Sequence, residues 1–359
     1  MSEYIEYKDK VAFHPGYYIK ELVETSGLTQ EDFAKRLDTT PKNLSILIRG
    51  EQRLSNDIAM KLSRLTGTTI GYWLNLQKGY DALVAEFESD KELENEKKVF
   101  EYLDYKYFRT NYGLQDHPRK KEAQIAETRG FLKVSSLTVL KKEDMAANFR
   151  SKLEMNEASI VKANAMVQIA TNKALEAEAP RFDKKKFEEA VCYALTQTTN
   201  HKEFLKRIKK AFYDAGVIFV VLPNMAGSNT NGATKKVGNN IMLMVNDRRL
   251  YADTFWFTLF HEIGHIMNGD FGISFEMEKG EIEEKANTYA QNMLIDPTDY
   301  KEFLRQRRFD AESIKQFADR IGRDPGIVLG RLLNDKKVGY TDRTLNVLRH
   351  KYKFVTGRV

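Results

Sequence analysis

Two histidines and a glutamate in the segment FWFTLFHEIGHIMNGD have the types and spacing of a metal centre. His261 and His265 are four residues apart, so on a helix both imidazoles project from one face and reach a single metal ion. Glu262 follows the first histidine, where its carboxylate accepts a proton from water held at that metal. Neutral imidazole suits Zn²⁺, although imidazole and carboxylate also accept Mn²⁺ and other divalent ions. The segment therefore predicts metal-assisted hydrolysis, with zinc as the expected ion.

A catalytic zinc usually has three protein ligands and one open position, so one more ligand is needed. The downstream segment EIEEKANTYAQNML offers Glu283 or Glu284. We favour Glu283, because Asn287 lies one turn later on the same helical face, where its amide would orient a metal-bound histidine. Tyr251 and Tyr289 are both candidates for stabilising a developing oxyanion, and the sequence does not choose between them.

The site residues fall on two consecutive helices that follow short strands. The first helix is predicted over Asp253–Met267 and ends at the favourable C-cap Asn268-Gly269, and the second covers Glu281–Leu294. Upstream, GVIFVVLP, GATKKVG and IMLMVN are typical of strands. An extended peptide can pair with an exposed sheet edge, so we expect Gly232–Val237 to be the edge strand that aligns a substrate.

Five short helices with clear start signals precede residue 90. The first covers Pro15–Ser26, the next three have Thr29, Thr40 and Ser55 as N-caps, and the fifth begins near Thr69. Short helices joined by tight turns are typical of a helix-turn-helix domain. From about residue 89 to 200 the chain is rich in helix formers, with no fixed repeat, and is expected to be a helical connector.

Composition and charge exclude several classes of protein. A chain of 359 residues with 42% hydrophobic content is expected to form two or three domains, at roughly 100–200 residues each. The single cysteine, Cys192, excludes a disulfide framework and a zinc site of several thiolates. The N-terminus lacks the apolar core of a signal peptide, and no apolar run reaches the roughly 20 residues that span a bilayer. We expect a cytoplasmic protein with no membrane association.

Basic residues are concentrated towards the C-terminus. Residues 1–80 hold 11 Lys and Arg against 10 Asp and Glu, whereas residues 301–359 hold 15 against 7. A basic segment attracts nucleic acid, although interleaved charges on helices are also typical of a solvated face.

The predicted fold class is α+β and mostly α. It divides into a five-helix helix-turn-helix domain (1–88), a helical connector (89–200), a metallopeptidase domain with a small sheet (201–300) and a basic helical C-terminal region (301–359).

The site segments resemble a known family. FWFTLFHEIGHIMNGD followed by EIEEKANTYAQNMLIDP resembles the ImmA/IrrE metallo-endopeptidases, whose pattern is H-E-x-x-H with a later E-x-x-A-N-x-[FY]-A. The resemblance implies a minimal zincin of the gluzincin type, with His261, His265 and Glu283 as metal ligands and Glu262 as general base. Family members of this kind cleave helix-turn-helix repressors in response to stress or mobile-element signals.

The first 80-odd residues resemble the HigA-type branch of the Cro/repressor (XRE) helix-turn-helix family, over LTQEDFAKRLDTTPKNLSILIRGEQRLSNDIAMKLSRLTG. In that fold the third helix enters the major groove of DNA. The resemblance implies that Thr40, Lys42, Asn43 and Ser45 meet base edges or adjacent phosphates, and that Gln30 contacts a phosphate. Such domains usually bind paired half-sites, so a homodimer on operator DNA is expected.

These observations favour a DNA-binding transcriptional regulator fused to a zinc endopeptidase. Its substrate would be its own N-terminal domain or a partner helix-turn-helix repressor. The alternative is a non-catalytic transcription factor or antitoxin-like protein whose zincin domain senses a metal or ligand. A hydrolase acting on a non-peptide substrate is less favoured, because the expected edge strand suits extended peptides.

Overall fold

The computed structural model describes residues 4–142, 156–248, 251–275 and 280–352, with the backbone alone at Phe275. The chain divides into two compact units, residues 1–95 and 96–359. The predicted fold class is confirmed, because the described residues are mostly helical and hold two small sheets. The finer four-part division stays a prediction. No helix in the described ranges is long and apolar enough to cross a membrane.

The first unit begins with a hairpin and continues with helices. Its elements are β1 (Tyr4–Tyr7), β2 (Lys10–Phe13), α1 (Pro15–Thr25), α2 (Gln30–Arg36), α3 (Pro41–Ile48), α4 (Asn56–Thr66) and most of α5 (Ile70–Phe100).

The second unit is a helical assembly around one sheet. Its helices before the sheet are α6 (Tyr105–Tyr112), α7 (Lys121–Leu132), α8 (Glu157–Leu175), α9 (Lys184–Thr196) and α10 (Phe204–Asp214), with a 3₁₀ turn at Leu137–Lys141. The site region follows as β3 (Val217–Leu222), β4 (Thr230–Val237), β5 (Asn240–Asn246), α11 (Ala252–Asn268), β6 (Gly272–Phe275) and α12 (Glu281–Leu294). The remaining helices are α13 (Pro297–Arg305), α14 (Ala311–Ile321), α15 (Pro325–Asn334) and α16 (Arg343–Asn346).

The N-caps predicted for the first unit are confirmed. The hydroxyls of Thr29, Thr40 and Ser55 accept hydrogen bonds from backbone amides three residues later, at 3.1, 3.1 and 3.2 Å. Each bond satisfies an amide that the helix itself leaves without a partner, which defines where the helix begins. Apolar residues of α1 to α5 then pack into one core around Leu44, Leu47 and Trp73.

Two features of this unit differ from expectation. An antiparallel hairpin, β1 with β2, precedes α1, although its strands are only four residues long. In addition, α5 continues without a break through residue 88 to Phe100, because neither Gly nor Pro interrupts the segment after Gly79. Continuous helix formers after Trp73 thus extend the last helix of the first unit into the second.

The sheet of the second unit has the strand order β3-β5-β4-β6. β3 and β5 are parallel, whereas β4 runs antiparallel to both of its neighbours. β3 and β5 are almost wholly buried, which explains why they are continuous apolar runs rather than alternating ones. Helix α11 packs on β4 and β5, and it also packs against α12 and α15.

The expectation that Gly232–Val237 is a free edge strand is wrong for its first half. β6 pairs with β4 from Thr230 to Thr234, with a register irregularity between Thr230 and Gly232. β6, rather than β4, therefore forms this border of the sheet in the described part of the chain. The sequence does not predict β6, because this strand has only four residues and its apolar alternation covers no more than one repeat.

The C-terminal segment belongs to the same hydrophobic core as the sheet. Leu345, Leu348 and Tyr352 are buried with residues of α9 to α15. The Tyr352 hydroxyl accepts a hydrogen bond from the indole of Trp256 at 2.7 Å, and the carbonyl of His350 accepts one from the Ala252 amide at 2.8 Å. Residues 350–352 therefore hold the N-terminal turns of α11, the helix that carries the two histidines.

We predict that Gly16→Ala loosens the first unit. A Cβ at Gly16 would overlap the carbonyl oxygen of Leu47 and lie 2.8 Å from that of Ile48, so α1 and α3 must separate. The expected loss is about 1–3 kcal/mol. It is measured as reduced hydrogen-exchange protection of both helices in the full chain.

Gly79→Ala is the matched control. Gly79 is an exposed residue inside α5 with no atom within 4 Å of an added Cβ, so this change should preserve or raise protection. Equal protection in the two variants would contradict the packing described for α1 on α3.

Candidate metal centre

Three side chains converge between α11 and α12. His261 and His265 lie one turn apart on α11, and their Nε2 atoms are 3.1 Å from each other. The carboxylate of Glu283, from the first turn of α12, reaches both imidazoles, with Oε2 at 3.1 Å from His261 Nε2 and Oε1 at 3.4 Å from His265 Nε2. One ligand atom from each residue lies within 4.8 Å of the others. All three side chains are buried.

The outer nitrogen of His261 is held by α12. Its Nδ1 lies 2.9 Å from the Oδ1 of Asn287, one turn after Glu283. An amide oxygen only accepts, so this contact assigns the proton to Nδ1 and leaves the Nε2 lone pair for a metal. The structure thus places Asn287 beside His261, and its role in orienting a metal ligand stays a prediction.

The two neighbouring glutamates of α12 have different surroundings. Glu283 is buried against the histidines, whereas Glu284 is exposed on the outer side of the helix. Burial opposes ionisation of Glu283, but the hydrogen bonds and charges of the two imidazoles outweigh it and lower its pKa to about 2. At His261 burial acts to lower the pKa, but the hydrogen bond of Glu283 and the charges of Glu262 and Glu283 outweigh it and raise the pKa of that imidazole. The structure therefore brings Glu283, and not Glu284, to the imidazoles.

Glu262 lies on the sheet side of α11 and is completely buried, with 0% of its surface exposed. Burial raises the pKa of its carboxyl, and the neighbouring imidazoles of His261 and His265 act in the opposite direction. Neither carboxylate oxygen has a hydrogen-bond partner of good geometry within the described residues. A buried carboxylate in this state is costly unless a cation or a water molecule compensates it.

Gly232 of β4 is the residue that makes room for this carboxylate. A Cβ at Gly232 would lie 2.5 Å from the Oε1 of Glu262 and 2.6 Å from its Cδ, so no other residue fits here without movement. Ser274 lies on β6, the strand paired with β4. It is buried, and its hydroxyl lowers the pKa of Glu262. Sequence reasoning missed both residues, because their proximity to Glu262 depends on long-range strand pairing.

The donor set fits a divalent transition metal. Two imidazole nitrogens and one carboxylate converge in a buried position, which is the ligand set of zinc enzymes that keep one position open. The two Glu262 oxygens without partners lie next to this set, where a nearby cation would offset their burial.

The two candidate tyrosines lie at different positions along α11. Tyr251 precedes the helix and lines a cavity together with Asp253 and Arg349. The ring of Tyr289 packs against the backbone of α11 at Gly264, and burial raises the pKa of its hydroxyl to about 12.

The predicted DNA-contacting residues lie at the start of α2 and along the N-cap and first five residues of α3. Gln30 is the first residue of α2 and Lys42 the second residue of α3, and both are exposed. Thr40 is the N-cap of α3, and the Ser45 hydroxyl accepts a hydrogen bond from Arg49. Their contact with DNA stays a prediction.

Asn43 differs from its predicted neighbours, because its side chain is already bonded within the domain. Its amide donates to the Thr39 hydroxyl at 2.9 Å and its Oδ1 accepts from Gln52 at 2.6 Å. Sequence reasoning did not identify Thr39 or Gln52, although a polar residue next to a helix N-cap is a usable signal. Reading a base with Asn43 would require these two bonds to break or to be shared.

Comparison with known proteins identifies two families in separate parts of the chain. A helix-turn-helix family model matches residues 19–73, and the model of the IrrE N-terminal-like domain, a peptidase M78 family, matches residues 217–332. The chain is 33% identical over 79 residues to the uncharacterized HTH-type transcriptional regulator YddM of Escherichia coli K12, covering 21% of this chain and 84% of that protein. It is also 33% identical over 76 residues to the virulence-associated protein I of Dichelobacter nodosus, covering 21% of this chain and 70% of that protein.

One solved structure is similar as well. It is an addiction module antidote protein of the HigA family from Coxiella burnetii, 30% identical, with a TM-score of 0.22 and coverage of 23% of this chain and 92% of that one.

We predict that Gly232→Ala destabilises the second unit through Glu262. The expected loss is about 1–3 kcal/mol in the otherwise unchanged chain, because the added methyl overlaps the carboxylate. In a Glu262→Ala background the same substitution should cost less than half as much. A double-mutant cycle of denaturant midpoints measures this coupling.

Gly130→Ala serves as the control for the cycle. Gly130 is an exposed residue of α7 in the same unit, and no atom lies within 4 Å of its added Cβ. It should show no coupling to Glu262. Equal costs of Gly232→Ala in both backgrounds would contradict the close approach of β4 to the carboxylate.

Proposed function

Because the chain belongs to the helix-turn-helix regulators through its N-terminal domain and carries an IrrE N-terminal-like domain at residues 217–332, we propose that it is a DNA-binding regulator with a built-in zinc endopeptidase. The observation that carries the enzymatic part is the convergence of His261, His265 and Glu283 beside Glu262. This arrangement supports hydrolysis of a peptide bond in a helix-turn-helix repressor, either a partner protein or the chain's own N-terminal domain.

The proposed zinc ligands are His261, His265 and Glu283. When bound, zinc supplies a Lewis acid that polarises a carbonyl and makes water acidic enough to attack at neutral pH. Asn287 fixes the tautomer of His261 through its Nδ1 and thereby keeps Nε2 available as a ligand atom.

Glu262 is the proposed general base. Its carboxylate accepts the proton of the attacking water and then returns it to the leaving amine. Burial raises the pKa of this carboxyl from its ordinary acidic range, which makes it a stronger base than an exposed glutamate. Gly232 keeps the backbone of β4 close enough to confine the carboxylate without displacing it.

The proposed DNA site uses the exposed N-terminal ends of α2 and α3. Lys42 and Gln30 are accessible there for phosphates or base edges. We further propose that the protein binds operator DNA as a homodimer, because helix-turn-helix domains usually read two half-sites. We also propose a cytoplasmic location, because the protein is proposed to bind operator DNA.

A second candidate is a regulator whose metal site senses rather than cleaves. The observation that favours it is the complete burial of Glu262 beneath β4 and β6, since a general base must meet water and substrate. In this alternative the metal or a ligand controls DNA binding, and Glu262 has no chemical role.

We predict that the full chain purified without added metal holds about one zinc ion, and that His265→Ala and Glu283→Gln each lose it. The reason is that each variant removes one of three converging donors. Elemental analysis measures the content. Glu284→Gln is the matched control, because this neighbour on α12 is exposed, and it should keep the metal. Equal loss in the Glu283 and Glu284 variants would contradict the assignment.

We predict that Glu262→Gln keeps the metal and loses hydrolysis by a factor of roughly 10² or more, because the amide cannot accept the proton. Cleavage is followed with purified helix-turn-helix repressors and with the protein itself. Mixing Glu262→Gln with active wild-type chain tests whether the N-terminal domain is cut in trans. If the variant cuts as fast as wild type, the proposed mechanism is wrong. If a metal-loaded wild type cuts nothing while DNA binding responds to metal, the sensing function replaces it.

A further inference from the structure

A cavity of about 600 Å³ lies beside the metal centre but does not include it. It is formed by α11, α12, α15 and the C-terminal segment around residues 340–351. The cavity begins at Phe257, one helical turn before His261 on α11, and at Gln291, one turn after Asn287 on α12. The ring of Phe257 lies 6.4 Å from that of His261, centroid to centroid, so the two sites share a wall.

The wall of the cavity towards the core is apolar. It is lined there by the side chains of Phe257, Leu294, Ile295, Ile327 and Leu333. Its volume lies within the roughly 300–1,000 Å³ that sites for small molecules occupy, and such sites are mostly apolar with a few polar groups. A ligand that fills this space needs an apolar body.

Four cationic side chains from three parts of the chain converge on the same cavity. They are Arg248, Arg331, Arg349 and Lys351, and among the described lining residues only Asp253 is acidic. Arg349 pairs with Asp253 and Arg331 with Asp335, yet the four cations still outnumber these two carboxylates, and such a surplus around a concave surface attracts anions. The ligand therefore carries negative charge as well as an apolar body.

Two of these cations are held in place by neighbours. The guanidinium of Arg349 donates to Asp253 at 2.7 Å and lies over the Tyr251 ring at 4.1 Å. That of Arg331 donates to Asp335 at 2.9 Å and lies over the Tyr300 ring at 4.8 Å.

Fixed guanidinium groups bind an anion without first losing side-chain freedom. The ammonium of Lys351 lies 5.8 Å from the centroid of the Tyr251 ring, and Arg248 is exposed.

We propose that this cavity is a binding site for a small amphipathic anion, meaning an aromatic or aliphatic body that carries a carboxylate, sulfonate or phosphate. The apolar body of the ligand contacts the wall at Ile327 and Phe257, and its anionic group contacts the cationic side chains that line the cavity. The proposal does not depend on peptidase activity, because no proposed metal ligand or general base is among the described residues that line the cavity.

The test uses 8-anilinonaphthalene-1-sulfonate as an anionic probe and N-phenyl-1-naphthylamine as its neutral counterpart. We expect the sulfonate to bind the full chain at one saturable site, measured by fluorescence and calorimetry, with an affinity that falls as salt is added. The neutral probe should bind at least tenfold more weakly, because it lacks the charge that the cations recognise.

Variants locate the site. Arg248→Gln/Lys351→Gln removes two exposed cations of the mouth and should weaken sulfonate binding roughly tenfold or more, since charge-assisted contacts are lost. Arg343→Gln, an exposed cation on the same C-terminal segment that is not among the lining residues, should leave binding unchanged. Gln291→Trp fills the cavity and should abolish it. Metal content of each variant checks that the unit remains folded.

Unchanged sulfonate affinity in both Arg248→Gln/Lys351→Gln and Gln291→Trp would overturn the proposal. Equal affinity for the neutral probe would overturn the proposal that the cations recognise an anion, and the cavity would then be an apolar pocket only. Glu262→Gln should bind the sulfonate like wild type. Loss of hydrolysis with retained probe binding therefore separates a failure of this site from a failure of the proposed enzymatic function.

Discussion

Four ionisable side chains are buried together between the sheet and α12, and their removal from water is the main constraint on the second unit. His261, His265 and Glu283 compensate one another through hydrogen bonds, and Asn287 satisfies the remaining nitrogen of His261. The oxygens of Glu262 make no hydrogen bond of good geometry within the described residues, and only the nearby Ser274 hydroxyl and the two imidazoles favour its charged form. An apolar core tolerates this arrangement only if the surrounding elements hold it rigidly and a cation offsets the excess negative charge.

Helix α11 provides that rigidity because its N-terminal end is bonded to residues 349–352. The partly buried ion pair of Asp253 with Arg349 and the hydrogen bond of Trp256 with Tyr352 join residues that are almost a hundred positions apart. Along the rest of its length α11 packs on the sheet, α12 and α15. A segment that looks like a basic, solvated tail in the sequence is therefore part of the support of the histidine helix.

Local signals in the sequence were enough for much of the fold and of the candidate site. Thr29, Thr40 and Ser55 mark helix starts through side-chain chemistry that acts within three residues. The i, i+4 spacing of His261 and His265, and the matching spacing of Glu283 and Asn287, follow from helix geometry alone. These features need no knowledge of tertiary contacts, so they can be predicted from one sequence.

What the sequence did not predict depends on pairing between distant segments. The short strands β1, β2 and β6 have too few residues for a periodic signal, and only their partners stabilise them. The pairing of β6 with β4 covers the side of the strand that had been expected to receive a substrate. The internal hydrogen bonds of Asn43 are equally invisible, because Gln52 lies beyond the helix that contains it.

The residue that can occupy position 232 in β4 depends on the carboxylate of Glu262, two elements further along the chain. A glycine is required at this position of β4 only where a glutamate occupies the space beneath the strand. A relative that retains the glutamate can exchange this glycine for a larger residue only by bending the strand. A relative that has lost the glutamate is free of that restriction. The residue at this strand position is therefore a sequence marker. It distinguishes relatives that retain the buried glutamate from relatives that share only the fold.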